Sequence, residues 1–174
     1  TEVKAVLDRS VGPDDYHRDD PTRDAVLDHF QTSLTRIAHL SDRAGAKAIL
    51  VKPASNLGDF SPFKTEFDPL LGPSEIQQID SLASEATAAL NQDNPAGALA
   101  LCDRALRLDG RNAGMLYLRA QALKALGQID QAILAFVAAR DEDICPLRAL
   151  TPVGEIVENV ARTQGTGLVD FARL

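Results

Sequence analysis

The chain has no tryptophan, two tyrosines and six phenylalanines in 174 residues. That is too little aromatic surface for a base-stacking platform. Positive charge is also short: 18 Lys and Arg stand against 25 Asp and Glu, a net charge of −7. Nucleic acid and anionic lipid are therefore poor partners. No apolar run reaches the roughly 18 residues a membrane helix needs. The two cysteines, Cys102 and Cys145, have no metal-ligand spacing, and both read as reduced structural residues. The three histidines are His17, His29 and His39. His17 sits in an acidic loop, and the other two share a predicted helix but point in different directions. All three read as solvated, and no metal or cofactor is expected. Residue 1 is Thr, and no signal-peptide pattern follows it. The expectation is an excised piece of a longer cytoplasmic protein.

What is present is apolar content: 45% of residues, enough for a buried core. Residues 1–9 read as a short or frayed helix and 10–20 as loop. Asp20 is expected to cap a helix with Pro21 at its first position. Val26, Phe30, Leu34, Ile37 and Ala44 recur at helical spacing as one apolar stripe. Gly45 stops that helix. Ala48–Val51 follows as a short apolar run, expected of a parallel strand covered on both faces. A loop with Pro53, Pro62, Pro69 and Pro73 comes next, long enough to be functional or a linker.

From Ser74 the pattern turns helical. Ser74 with Gln77 suggests a capping box. Asn94-Pro95 opens a second helix that Gly110 closes. Asn112 caps a third that Gly127 ends, and a fourth runs to about Asp141. These helices repeat at an offset of 34 residues: Leu82 with Leu116, Ala86 with Ala120, Ala98 with Ala132, Leu99 with Ile133, Cys102 with Phe136, Ala105 with Ala139. That period marks a helix–turn–helix solenoid unit. Small alanines let helices approach, and larger apolar residues fill the gaps. The register resembles the tetratricopeptide repeat (TPR) over roughly residues 74–145. In the second copy Leu116, Ala120, Leu123, Gly127, Ala132, Phe136 and Ala139 sit at that family's hallmark places. The first copy departs from it, with Asp93 where the inter-helix glycine usually stands and Pro95 opening its second helix.

After Pro146 the pattern changes again. Thr151 is expected to cap a helix with Pro152 first and Glu155 near its positive end. Ile156, Val157, Val160 and Ala161 form its apolar face, and Gly165 and Gly167 break it. Leu168–Phe171 reads as a second strand. The expected fold is therefore an α/β unit of two parallel helix–strand pairs, with helix 152–164 as the crossover, interrupted by an all-α insertion. It is mostly helical overall. The parts are 1–73 (helix, strand and long loop), 74–145 (two TPR-like units) and 146–174 (helix and strand).

The flanking segments KAILVKPASNLGDFSPF and RDEDICPLRALTPVGEIVENVARTQGTGLVDF resemble the middle and late part of an SGNH (GDSL-like) hydrolase, in particular bacterial members carrying tetratricopeptide repeats at this place. That resemblance implies a parallel sheet flanked by helices. It also implies a catalytic serine in a Gly-Asp-Ser-type block and a histidine in an Asp-x-x-His block, neither of which occurs here. No catalytic residue is assigned.

Ser55, Asn56 and Asp59 follow the first strand. In open parallel sheets ligands bind beyond the strands' carboxyl ends, which makes these three the rim of a parent enzyme's pocket. The other reading is turn chemistry. Asp141-Glu142-Asp143 reads as a solvated helix end near Arg140 and Arg148, with cation binding as the alternative. The repeats' first helices would line a concave face: Asp80, Ala83, Thr87 and Leu90, then Gly114, Tyr117, Gln121 and Lys124. One lysine and no arginine there disfavour a chaperone's terminal carboxylate, which TPRs of that class grip with several basic residues. Tyr117, Gln121, Lys124 and Thr87 are the candidate partner-binding residues, for a protein or peptide or for the chain's own loop 53–73. The expected function is an interaction or structural module, catalytically incomplete. The alternative is part of a serine esterase or acyl hydrolase with its serine and histidine blocks elsewhere. Bare strand edges and the stripe of helix 22–44 also predict a homodimer, the alternative being a monomer with loop 53–73 folded over the edge.

Overall fold

A computed structural model describes residues 16–171; the helix expected over 1–9 lies outside the described residues. Among the described residues, six α-helices and two strands run in the order α1 (Asp20–Arg43), β1 (Ile49–Lys52), α2 (Pro73–Asn91), α3 (Pro95–Leu106), α4 (Ala113–Ala125), α5 (Ile129–Asp141), α6 (Thr151–Gln164) and β2 (Gly167–Asp170).

Local chemistry sets the ends. Asp19, not Asp20, caps α1 by accepting from the Thr22 amide at 2.9 Å. Asn94 and Asn112 cap α3 and α4, accepting from Gly97 and Met115 at 3.0 Å. The expected Ser74–Gln77 box is displaced: α2 begins at Pro73, and the Glu75 carboxylate accepts from the Gly72 amide at 2.8 Å. Thr151 is the first residue of α6 rather than its cap, which is Leu150.

Helices α2–α5 form two hairpins stacked in order, with α3 also against α4. The 34-residue offset is structural: α3 starts at Pro95 and α5 at Ile129. Ala86 and Ala120, Ala98 and Ala132, Cys102 and Phe136, and Ala105 and Ala139 are all buried. Burial pushes the Cys102 thiol up to about 11, so it stays a neutral packing group.

β1 and β2 pair in parallel, Ile49 with Gly167 through Lys52 with Asp170. Leu50 packs with Val157, Val160 and Ala161 of α6 and with Phe30 and Leu34 of α1. Lys52 lies over Gly154, where a Cβ would come within 3.0 Å of its Cε. Its ammonium binds Glu158 at 2.5 Å and Asp170 at 3.4 Å, and Glu158 raises its pKa.

Two further expectations need correction. The strand is covered on one face only: Ile49 is 65% and Val51 46% exposed, because α1 and α6 both pack through the Leu50 face. The α1 stripe is also rotated. Ala38 is buried, while Val26 and Ile37 are 61% and 55% exposed.

Candidate partner groove on the repeat helices

The segment between β1 and α2, residues 53–72, runs as a strap along the repeat helices. Mid-helix backbone groups are already paired with one another, so few are open to it. Side chains and turn groups satisfy it instead.

On α4, Gly114, Tyr117, Gln121 and Lys124 recur at helical spacing along one side. Tyr117 donates its hydroxyl to the Gly58 carbonyl at 2.7 Å. Its ring meets Phe136 edge-on at 5.4 Å. Leu57 fills the adjoining depression against the cluster of Ala120, Leu123, Ala132, Ala135 and Phe136. At Gly114 the strap also comes close: a Cβ there would stand 3.3 Å from Thr65 Oγ1. Phe67 and Leu71 pack on the cluster of α2, α3 and α4, as do Ala83 and Leu90. Thr87 stands apart, its hydroxyl bonded to the Ala83 carbonyl at 2.8 Å within α2. Gln121 and Lys124 have no hydrogen-bond or ion-pair partner among the described residues.

Two buried carboxylates secure the strap's second half. Asp143, 7% exposed, accepts from the amides of Phe63 at 2.7 Å, Lys64 at 3.0 Å and Cys145 at 3.1 Å. Asp109, 3% exposed, accepts from the amides of Asp68 at 3.3 Å and Arg111 at 3.2 Å. The Ile144 amide returns a bond to the Lys64 carbonyl at 3.0 Å. The sequence did not single out Asp109, and Asp143 was expected only as part of a solvated helix end, although the two are spaced like the repeat pairs. The acidic trio is thus no free helix end. Asp141 takes Arg140 and the Thr151 amide, and Glu142 takes Arg18 at 2.5 Å and Arg111 at 2.9 Å. Arg148, expected beside the trio, instead donates to the carbonyls of Asn56 at 2.9 Å and Phe60 at 2.7 Å, with its guanidinium 5.1 Å from the Phe60 ring centre.

The end of the groove nearest α1 is ionic. Arg111 grips Asp20 through two bonds of 2.6 and 3.0 Å, which hold the Asp20 carboxyl down at about 2 and push the Arg111 pKa up. Glu66 binds His17 at 2.6 Å and the Arg18 amide at 2.8 Å. Burial works to raise the Glu66 carboxyl, but these bonds and Lys64 outweigh it and the net shift is down. A cleft of about 1140 Å³ opens here between Tyr16–Thr22 and Glu66–Leu70.

Ser55, Asn56 and Asp59 lie beyond the carboxyl end of β1. Asn56 accepts from the Asp59 amide at 3.1 Å, closing a turn. Ser55 borders a separate cleft of about 380 Å³ with Lys52, Arg140, Thr151 and Glu155. His17 is bonded to Glu66, and His29 and His39 are exposed on α1. No histidine is hydrogen-bonded to Ser55 among the described residues. No group of three or more His, Cys, Asp and Glu among them is placed to hold a metal ion, and no described helix is long and apolar enough to cross a membrane.

No protein-family model, curated protein or solved structure matches this chain.

Proposed function

We propose that this chain is an interaction and structural module of tetratricopeptide type, whose repeat pair grips an extended polypeptide segment along α4 and α5. The observation that carries the reading is the strap. Tyr117, Asp109 and Asp143 bind its main chain, and Leu57 plugs the depression beside Tyr117. The 34-residue register and the burial of both members at four of its six paired positions support the family assignment. In this reading the strap is the first ligand of the groove and ties the repeats to the helix–strand pairs.

The chain by itself is proposed to be catalytically incomplete. A nucleophile needs a base within about 3 Å, itself oriented by a third group, and Ser55 has no histidine bonded to it among the described residues. The parallel pairing of β1 and β2, with Ser55 beyond β1, favours a second reading for a larger protein: one part of a serine ester hydrolase.

The test is replacement of residues 57–67 by a Gly/Ser linker of equal length. Helical circular dichroism is expected to persist while the melting temperature falls by several degrees. An unchanged melt sinks the gripped strap. Turnover of a short-chain p-nitrophenyl ester that a Ser55→Ala variant loses would replace the module with an enzyme.

A further inference from the structure

The strap is held unequally along its length. Its second half carries the buried Asp109 and Asp143 bonds. Its first half, Ser55–Phe60, is held to the helices by the Tyr117 hydroxyl and Leu57, and to the α5–α6 connection by Arg148. Those two donors take main-chain carbonyls, which every polypeptide offers. Segments held by few buried contacts open first.

Beside this weaker half the groove has unused capacity. Lys124 and Gln121 have no partners among the described residues, and they continue the Tyr117 side of α4. The strap passes Lys124 with Gly58, which has no side chain. A Cβ at Gly58 would point at the Lys124 ammonium, 3.7 Å away. The pocket is thus better suited to an acidic residue after the leucine than to the strap's own glycine.

Building on the gripping role proposed above, we propose that the α4–α5 groove is an exchangeable peptide site. Residues 55–60 vacate it for an extended segment of another protein, with an aliphatic residue in the Leu57 depression and Asp or Glu next to it, paired with Lys124. Asp109 and Asp143 keep the rest of the strap in place during the exchange. Occupation by the strap lowers the apparent affinity for the partner by the fraction of time the site is open.

The experiment measures fluorescence anisotropy of labelled peptides with the sequence of residues 55–61, one native and one carrying Gly58→Glu, against the full chain. Leu57→Ser in the chain weakens the internal ligand and is expected to tighten peptide binding about tenfold. The Glu peptide is expected to bind about threefold tighter than the native one, an advantage lost in Lys124→Ala and in about 1 M salt. Peptides that bind the Leu57→Ser chain no better than the native chain overturn the exchange, and equal affinity of the two peptides overturns the acidic preference. Amide exchange at Phe63 and Lys64 in the same samples separates the two levels. Slow exchange without peptide binding removes the exchangeable site and leaves the gripped strap standing. Fast exchange in the native chain removes both.

Discussion

Asp109 and Asp143 stand 34 residues apart, and each closes a turn on the amide two residues later while binding an amide of the same strap. The two repeat units thus end alike: each finishes its second helix with a buried carboxylate aimed at one shared strand of chain.

Removing one of these carboxylates leaves buried donors without a partner. Asp143→Ala strands three amides and is expected to cost roughly 2–3 kcal/mol. Asp143→Asn keeps one acceptor oxygen and costs less. Urea unfolding measures both, and equal losses for the two variants would contradict the assignment.

Asp93 holds a left-handed backbone, φ 56°, at the repeat position where Gly127 has φ 74°. A side chain there is strained, though Asp tolerates it better than most. Asp93→Gly is expected to stabilise by about 0.5–1 kcal/mol. Gly127→Ala, with open space around the new Cβ, is expected to destabilise by about 1 kcal/mol through backbone strain. The opposite signs in thermal melts would refute the shared turn.

Phe136 is buried between α4 and α5 and meets the Tyr117 ring. Phe136→Ala is expected to cost about 3–5 kcal/mol through lost contacts and a cavity. A loss under about 1 kcal/mol would mean the packing is wrong.

Arg111 lowers the Asp20 carboxyl to about 2 in the folded state, against about 3.9 unfolded. The unfolded chain therefore binds the extra proton first on acidification. The stabilisation is complete above about pH 4 and fades as pH falls toward 2. Asp20→Asn is expected to flatten stability against pH in that window, followed by urea midpoints. An unchanged acid limb in the variant excludes the pair as its source.

Ile49 and Val51 expose one face of the sheet, and apolar surface of this kind favours association. A two-fold dimer through this face or the strand edges is expected at high micromolar concentration. Light scattering coupled to size exclusion would then read about twice 18.7 kDa, falling on dilution. A steady monomer mass across about tenfold dilution excludes it.

The repeat helices were readable because their signals are local. The asparagine caps, Gly127 and the alanine spacing each act within one or two turns. The parallel pairing of the strands followed from topology alone, with Thr166-Gly167 closing α6 onto β2. The strap's position was readable only in part: Tyr117 packing on loop 53–73 was one of two open readings, and its hydroxyl meets Gly58 there. Proline punctuation marks a loop, but its path depends on Leu57, Tyr117, Asp109 and Asp143 meeting across long stretches of chain. Charge runs misled for the same reason: Asp141, Glu142 and Asp143 are adjacent in sequence, yet each has a different partner. The α1 stripe failed because a broad apolar face fits several rotations, and Leu50 with α6 selects one.

Ile49 and Gly167 are neighbours across the sheet but more than a hundred residues apart along the chain. Closing so large a loop is entropically slow until something shortens it. The four repeat helices do this, since their contacts are local and bring Lys52 and Leu150 toward one another as they stack. The helical hairpins are therefore expected to belong to the folding nucleus, with the sheet forming after the barrier. Destabilising changes in α4 and α5 should slow folding, whereas changes in β1 or β2 should mainly quicken unfolding. Chevron plots for Phe136→Ala and Leu50→Ala would show the loss on opposite limbs.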